Sequence, residues 1–156
     1  MLWLFISFWC IVLGVLSLLG DKRAYFCFVI LALVWFPVSA GGPLQPKPCE
    51  LYIEPSEIPY ALVNYTHIIL FGMFFVMTNA QFGYATTRRA LLYSGAATMG
   101  LGILVELSEA MTGDGTCRVL DLLPDFIGVG VGIGLVYLWK KLRTRLPFDP
   151  GKRDAV

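Results

Sequence analysis

Along the chain, apolar residues come in long runs with no alternation of polarity, and short polar breaks separate five of them. The first covers Met1–Leu19 and carries no charge. Gly20-Asp21-Lys22-Arg23 divides it from the second, Ala24–Ala40. A long connection follows, from Gly41 to about Tyr60. The third run covers Ala61 to about Ala85, and the fourth Ala90–Ala110. A Gly/Thr loop at Met111–Cys117 precedes the fifth, from about Leu120 to Trp139. A hydrocarbon layer about 30 Å thick needs roughly 20 apolar residues as a helix. Membrane strands would alternate polarity, which these runs do not. The pattern therefore predicts an all-α fold, a polytopic bundle of five transmembrane helices over residues 1–139, with a basic tail over 140–156. Val38-Ser39-Ala40 resembles a signal-peptidase site, but both N-terminal runs are read as retained helices.

Composition agrees. Hydrophobic residues make up 57% of the chain and charged ones 15%, too little charge for a soluble domain of this length. The net charge of +1 suggests no nucleic-acid partner, and the distribution of charge matters more than its sum. With five crossings, Lys22, Arg23, Arg88, Arg89, Lys140, Lys141, Arg143, Arg145, Lys152 and Arg153 share one face, leaving Lys47 and Arg118 on the other. Basic residues stay on the cytoplasmic side, so the N-terminus is expected outside and the C-terminus inside. The compartment expected is a bacterial inner membrane.

The outer connection carries Glu50, Glu54 and Glu57 among prolines at 43, 46, 48, 55 and 59, a stiff segment expected to lie across the outer face. Cys10 and Cys27 fall within apolar runs and read as packing residues. Cys49 and Cys117 fall in the two outer loops, where a bridge between them and two free thiols both fit the sequence. No Cys or His spacing suggests a metal, and no cofactor is expected.

Several ionisable residues are not topology signals. His67 lies early in the third helix, Glu106 and Glu109 late in the fourth, and Arg118, Asp121 and Asp125 around the start of the fifth. Counted from the basic anchors at about 1.5 Å per residue, His67, Glu106, Asp121 and Asp125 stand ~31, ~25, ~28 and ~22 Å up, one outer layer. Asp121 and Asp125 share a helix face, with Arg118 one turn before. Carboxylates at membrane depth cost about 2.5–3.5 kcal/mol each at mid-bilayer and tend to pair inside the bundle. Two readings stand: an ion-pair network of Arg118, Asp121 and Glu106 pinning the fourth and fifth helices together, or a small polar pocket open to the outer face. In either, Glu106, Arg118, Asp121 and Asp125 are expected to converge, with Arg118 as hub and His67 at the border. Gly128, Gly130, Gly132 and Gly134 give the fifth helix two overlapping GxxxG pairs. Gly95, Ala96, Gly100 and Gly102 give the fourth helix a small-residue surface, so the fourth and fifth helices are expected to pack closest, through Gly128 and Gly132.

These polar residues resemble a motif set of the VanZ-like family, named for a membrane protein linked to teicoplanin resistance. That family has a His early in one helix, E-x-x-Q ending the next, then Arg and D-x-x-x-N-x-x-G opening the last. The matching positions here are His67 within Asn64-Tyr65-Thr66-His67, Glu106-Leu107-Ser108-Glu109, Arg118, and Asp121 through Gly128. The resemblance covers roughly Val63–Leu135. Glu109 stands in place of Gln, Asp125 in place of Asn and Asn64 in place of Lys, and Arg118 is nearer Asp121 than is usual. It implies an envelope protein that binds a lipid-linked or peptide component at the outer leaflet and affects glycopeptide sensitivity. The alternative is a non-catalytic accessory subunit of a larger membrane complex. A membrane enzyme is the weakest reading, since no nucleophile motif or phosphate-binding loop accompanies the acids.

Overall fold

The computed structural model describes residues 2–39, 48–112 and 118–145. Within them the chain is helical: α1 Leu2–Leu18, α2 Lys22–Ser39, the short α3 Ile58–Leu62, α4 Tyr65–Ala80, α5 Arg88–Thr112 and α6 Leu122–Arg145. A 3-10 turn at Val119–Asp121 leads into α6. The described residues form no strand, only one isolated bridge between Glu50 and Arg118.

Helix ends follow local chemistry. Gly20, at φ +88, turns the chain after α1. The Asp21 carboxylate then accepts from the Arg23 and Ala24 N–H groups at 2.8 and 3.0 Å, capping α2. The third apolar run is not one helix. The Asn64 side chain accepts from His67 N–H at 3.4 Å and starts α4 afresh, leaving Ile58–Leu62 as a separate turn of helix. At its other end α4 stops at Ala80, where Gly83 and Tyr84 adopt positive φ. Its 16 residues span about 24 Å. The fifth run continues as helix to Arg145, so the expected tail begins helical, and residues 146–156 lie outside the described part.

α4 is central and packs on α1, α5 and α6, while α2 packs on α1 and α5. The closest pair is α4 with α6, which corrects the expectation that the fourth and fifth helices, α5 and α6, pack closest. The expected glycines are used, but toward a different neighbour. A Cβ on Gly128 would stand 2.7 Å from the Ile68 carbonyl oxygen and 3.0 Å from the Gly72 nitrogen, so backbone meets backbone there. A Cβ on Gly132 would stand 2.8 Å from Cβ of the fully buried Phe75. Gly130 and Gly134 meet nothing within 4 Å. One glycine pair is thus an interface and the other an open surface.

The spans Arg88–Ser108 and Val119–Arg145 are each long and apolar enough to cross a membrane. Buried core helices pass the same test, but only 39% and 33% of these two is buried within the chain. Ile11, Phe26, Ile30, Ile69, Leu92 and Phe126 all point outward. An exterior this apolar on several helices suits lipid better than water.

Candidate functional site

The polar residues gather at the end of the bundle where α4 begins, α5 ends and α6 begins. Asp125, in the first turn of α6, is 1% exposed. Its Oδ1 lies 3.0 Å from His67 Nδ1, an arrangement in which the ring N–H donates and the carboxylate accepts. Its Oδ2 has no hydrogen-bond partner among the described residues and faces α5, where a Cβ on Gly102 would come within 2.7 Å of it. The absent side chain at 102 is what admits this carboxylate. The His67 ring also stacks beside Phe71, with centroids 6.0 Å apart.

Glu106, near the end of α5, is also buried, and its Oε2 accepts the Arg118 backbone N–H at 3.2 Å. The Arg118 side chain turns the other way, toward residues 48–57 ahead of α3. Its Nε stands 3.1 Å from Glu50 Oε2, an ion pair by distance rather than by hydrogen-bond alignment. Nη1 donates to Glu57 Oε2 at 3.4 Å. Val119 N–H donates to the Glu50 carbonyl at 3.2 Å, so residues 48–57 are strapped to the start of α6 by backbone and side chain together. Cys49 in this strap is disulfide-bonded; Cys117, its expected partner, lies outside the described residues. Lys47 and the Glu109 side chain also lie outside them.

The expected hub is therefore replaced. Arg118 is expected as the hub of Glu106, Asp121 and Asp125, but its guanidinium pairs with Glu50 and Glu57, and it is the Arg118 backbone N–H that donates to Glu106. His67 takes the inner position instead, within electrostatic reach of Asp125, Asp121 and Glu106. Sequence reasoning missed Glu50 and Glu57 as site residues. The signal was available: Glu50, Glu54 and Glu57 lie in one acid-rich connection whose expected face holds only two basic residues, Lys47 and Arg118.

A cavity of about 310 Å³ opens between α3 and the start of α6, lined chiefly by Glu57, Tyr60, Asn64, Arg118 and Asp121. Of its charged groups, Arg118 and Glu57 are committed to each other. The half-buried Asp121 carboxylate makes no ion pair or hydrogen bond among the described residues, though it feels the charges of His67, Arg118 and Asp125. Five carboxylates (Glu50, Glu57, Glu106, Asp121, Asp125) surround one arginine and one histidine, so the site suits a cationic or hydrogen-bond-donating group. No cluster of three His, Cys, Asp or Glu side chains that could hold a metal ion occurs among the described residues.

No family model matches the chain, and neither a curated protein nor a solved structure shows a significant match to it.

Proposed function

We propose that this chain is a five-span protein of the bacterial inner membrane, with its N-terminus outside and its C-terminus cytoplasmic, that works as VanZ-like proteins do. Its acid-rich cavity would hold an amine or other hydrogen-bond-donating group of a lipid-linked envelope precursor at the outer leaflet, and so alter sensitivity to glycopeptide antibiotics. Asp121 carries this reading. It lines an open cavity, stands by helical count from the basic anchors near the edge of the span, and has its carboxylate uncommitted among the described residues, beside groups that are already paired. A carboxylate kept unpaired at such depth is costly unless a ligand or water meets it. The outward apolar surfaces of α1, α2, α4, α5 and α6 support insertion, and the asymmetry of basic residues supports the orientation.

The test is retention of a lipid-linked peptidoglycan precursor by the purified protein in mild detergent. The wild type is expected to retain it and Asp121→Asn to lose most of that retention. Equal retention by both would overturn the assignment of Asp121. An accessory-subunit role would show instead as a stoichiometric protein partner co-purifying, with no precursor bound.

A further inference from the structure

The opposite end of the bundle holds a second built feature. The connection from α4 to α5 is pinned from several sides. Asn79 Nδ2 donates to the Ala85 carbonyl at 3.1 Å, and Gln81 Nε2 donates to the Ser17 and Met77 carbonyls at 2.8 and 3.0 Å. The Tyr84 hydroxyl donates to the Leu18 carbonyl. Tyr84 itself sits at φ +55, a left-handed conformation that costs energy for any residue with a Cβ. Its surroundings hold its ring tilted beside that of Trp139, with centroids 6.1 Å apart.

Two cavities meet at these rings. One, of about 390 Å³, is lined by Lys140, Arg143, Thr144 and the backbone around Gly83–Ala85. The other, of about 270 Å³, is lined by Val76, Leu135, Val136, Leu138 and Leu142. Tyr84 and Trp139 border both. Among the described residues the first has cations and hydroxyls but no carboxylate in its wall, and Lys140 Nζ donates to Thr86 Oγ1 at 2.7 Å, on the same side. Neither Lys140 nor Arg143 makes an ion pair among the described residues. The second cavity is apolar and runs back along α6 toward the middle of the helix.

We propose that these paired cavities form a binding site for an anionic diacyl phospholipid of the leaflet at the basic end. The phosphate lies between Lys140, Arg143 and Thr144, and one acyl chain lies along Leu142, Leu138 and Leu135. Tyr84 and Trp139 mark the boundary between head group and chain, the depth at which such rings settle. A free phosphate would use only the polar cavity. A zwitterionic lipid would bring its ammonium group against two cations, with no acid among the described lining residues to receive it. Basic pockets between helices on the cytoplasmic side take anionic head groups for these reasons. The inference rests on membrane insertion but not on the acidic site at the other end, and its test leaves that site intact.

Native mass spectrometry of the full chain, released from micelles containing equal amounts of phosphatidylglycerol and phosphatidylcholine with matched chains, reads the preference directly. The wild type is expected to retain phosphatidylglycerol selectively. The K140Q/R143Q double variant should bind it more weakly by a factor on the order of twenty, whereas K141Q/R145Q, with the same charge change, should retain most of the preference. Glycerol phosphate at equal concentration should not compete. No preference in the wild type would overturn the site, and that arm needs no variant to fold. An equal loss in both double variants would reduce it to general surface charge. Competition by glycerol phosphate would remove the acyl groove from it.

Discussion

His67 and Asp125 join α4 to α6 through a 3.0 Å contact, with the Asp125 carboxylate almost wholly buried and its second oxygen unpartnered among the described residues. The pair lies on the closest helix interface of the molecule, one turn from the glycine contact of Gly128 with Gly72. Loss of the imidazole leaves a buried carboxylate alone, a change that costs about 3–5 kcal/mol in other buried pairs. His67→Ala is therefore expected to lower the unfolding midpoint in detergent strongly. Adding Asp125→Asn should then cost little more, because the charge left unpaired is removed with it. Additive losses in the double variant would mean that the two side chains are not energetically coupled.

The glycine pairs of α6 separate in the same assay. Gly132→Leu drives a side chain into Phe75 and is expected to cost about 1–3 kcal/mol or more. Gly130→Leu and Gly134→Leu point into open space and should stay within about 0.5 kcal/mol of the parent. Similar losses at all three positions would place α6 differently against α4.

Much of this was legible in the sequence, and what was not has physical reasons. Uninterrupted apolar runs located the long helices, two of which are long and apolar enough to cross a membrane. The division at Asn64 escaped notice because one capping side chain, not a break in hydropathy, restarts the helix. The small face of α6 was visible as a glycine repeat, but a repeat does not say which neighbour it meets. α4 won over α5 because Gly72 lets two backbones meet at Gly128. The acids of the site were found from depth alone. The partners of Arg118 were not, since helical spacing says nothing about an extended connection that folds back over the bundle.

The Arg118 guanidinium ties down the strap of residues 48–57 through Glu50 and Glu57. Arg118→Gln removes two partly exposed ion pairs, each worth about 0.2–1 kcal/mol. Global stability should fall by only about 1 kcal/mol, less than for His67→Ala. Hydrogen exchange of Glu50–Glu57 and of the Val119 amide should speed up together, because the same strap protects them. A larger global loss than that of His67→Ala, with unchanged exchange in the strap, would restore Arg118 as the hub of the buried acids.

The proposed orientation is tested by impermeant thiol labelling of single-cysteine variants in intact spheroplasts. Label is expected at Leu51→Cys and absent at Thr144→Cys until the membrane is opened. The reverse pattern would put the acidic cavity on the cytoplasmic side and end the envelope reading.

The cavity carboxylate decides between a ligand site and a structural network. Asp121→Asn keeps the shape of the side chain and touches no ion pair, so stability should change by less than about 1 kcal/mol. The measurement is teicoplanin susceptibility of a sensitive host expressing wild type or Asp121→Asn, with unfolding midpoints taken on the same two proteins. The expected result is an unchanged midpoint with the wild-type shift in susceptibility lost. A fall in midpoint with no separate change in susceptibility would contradict a binding role and leave the acids as structural groups alone.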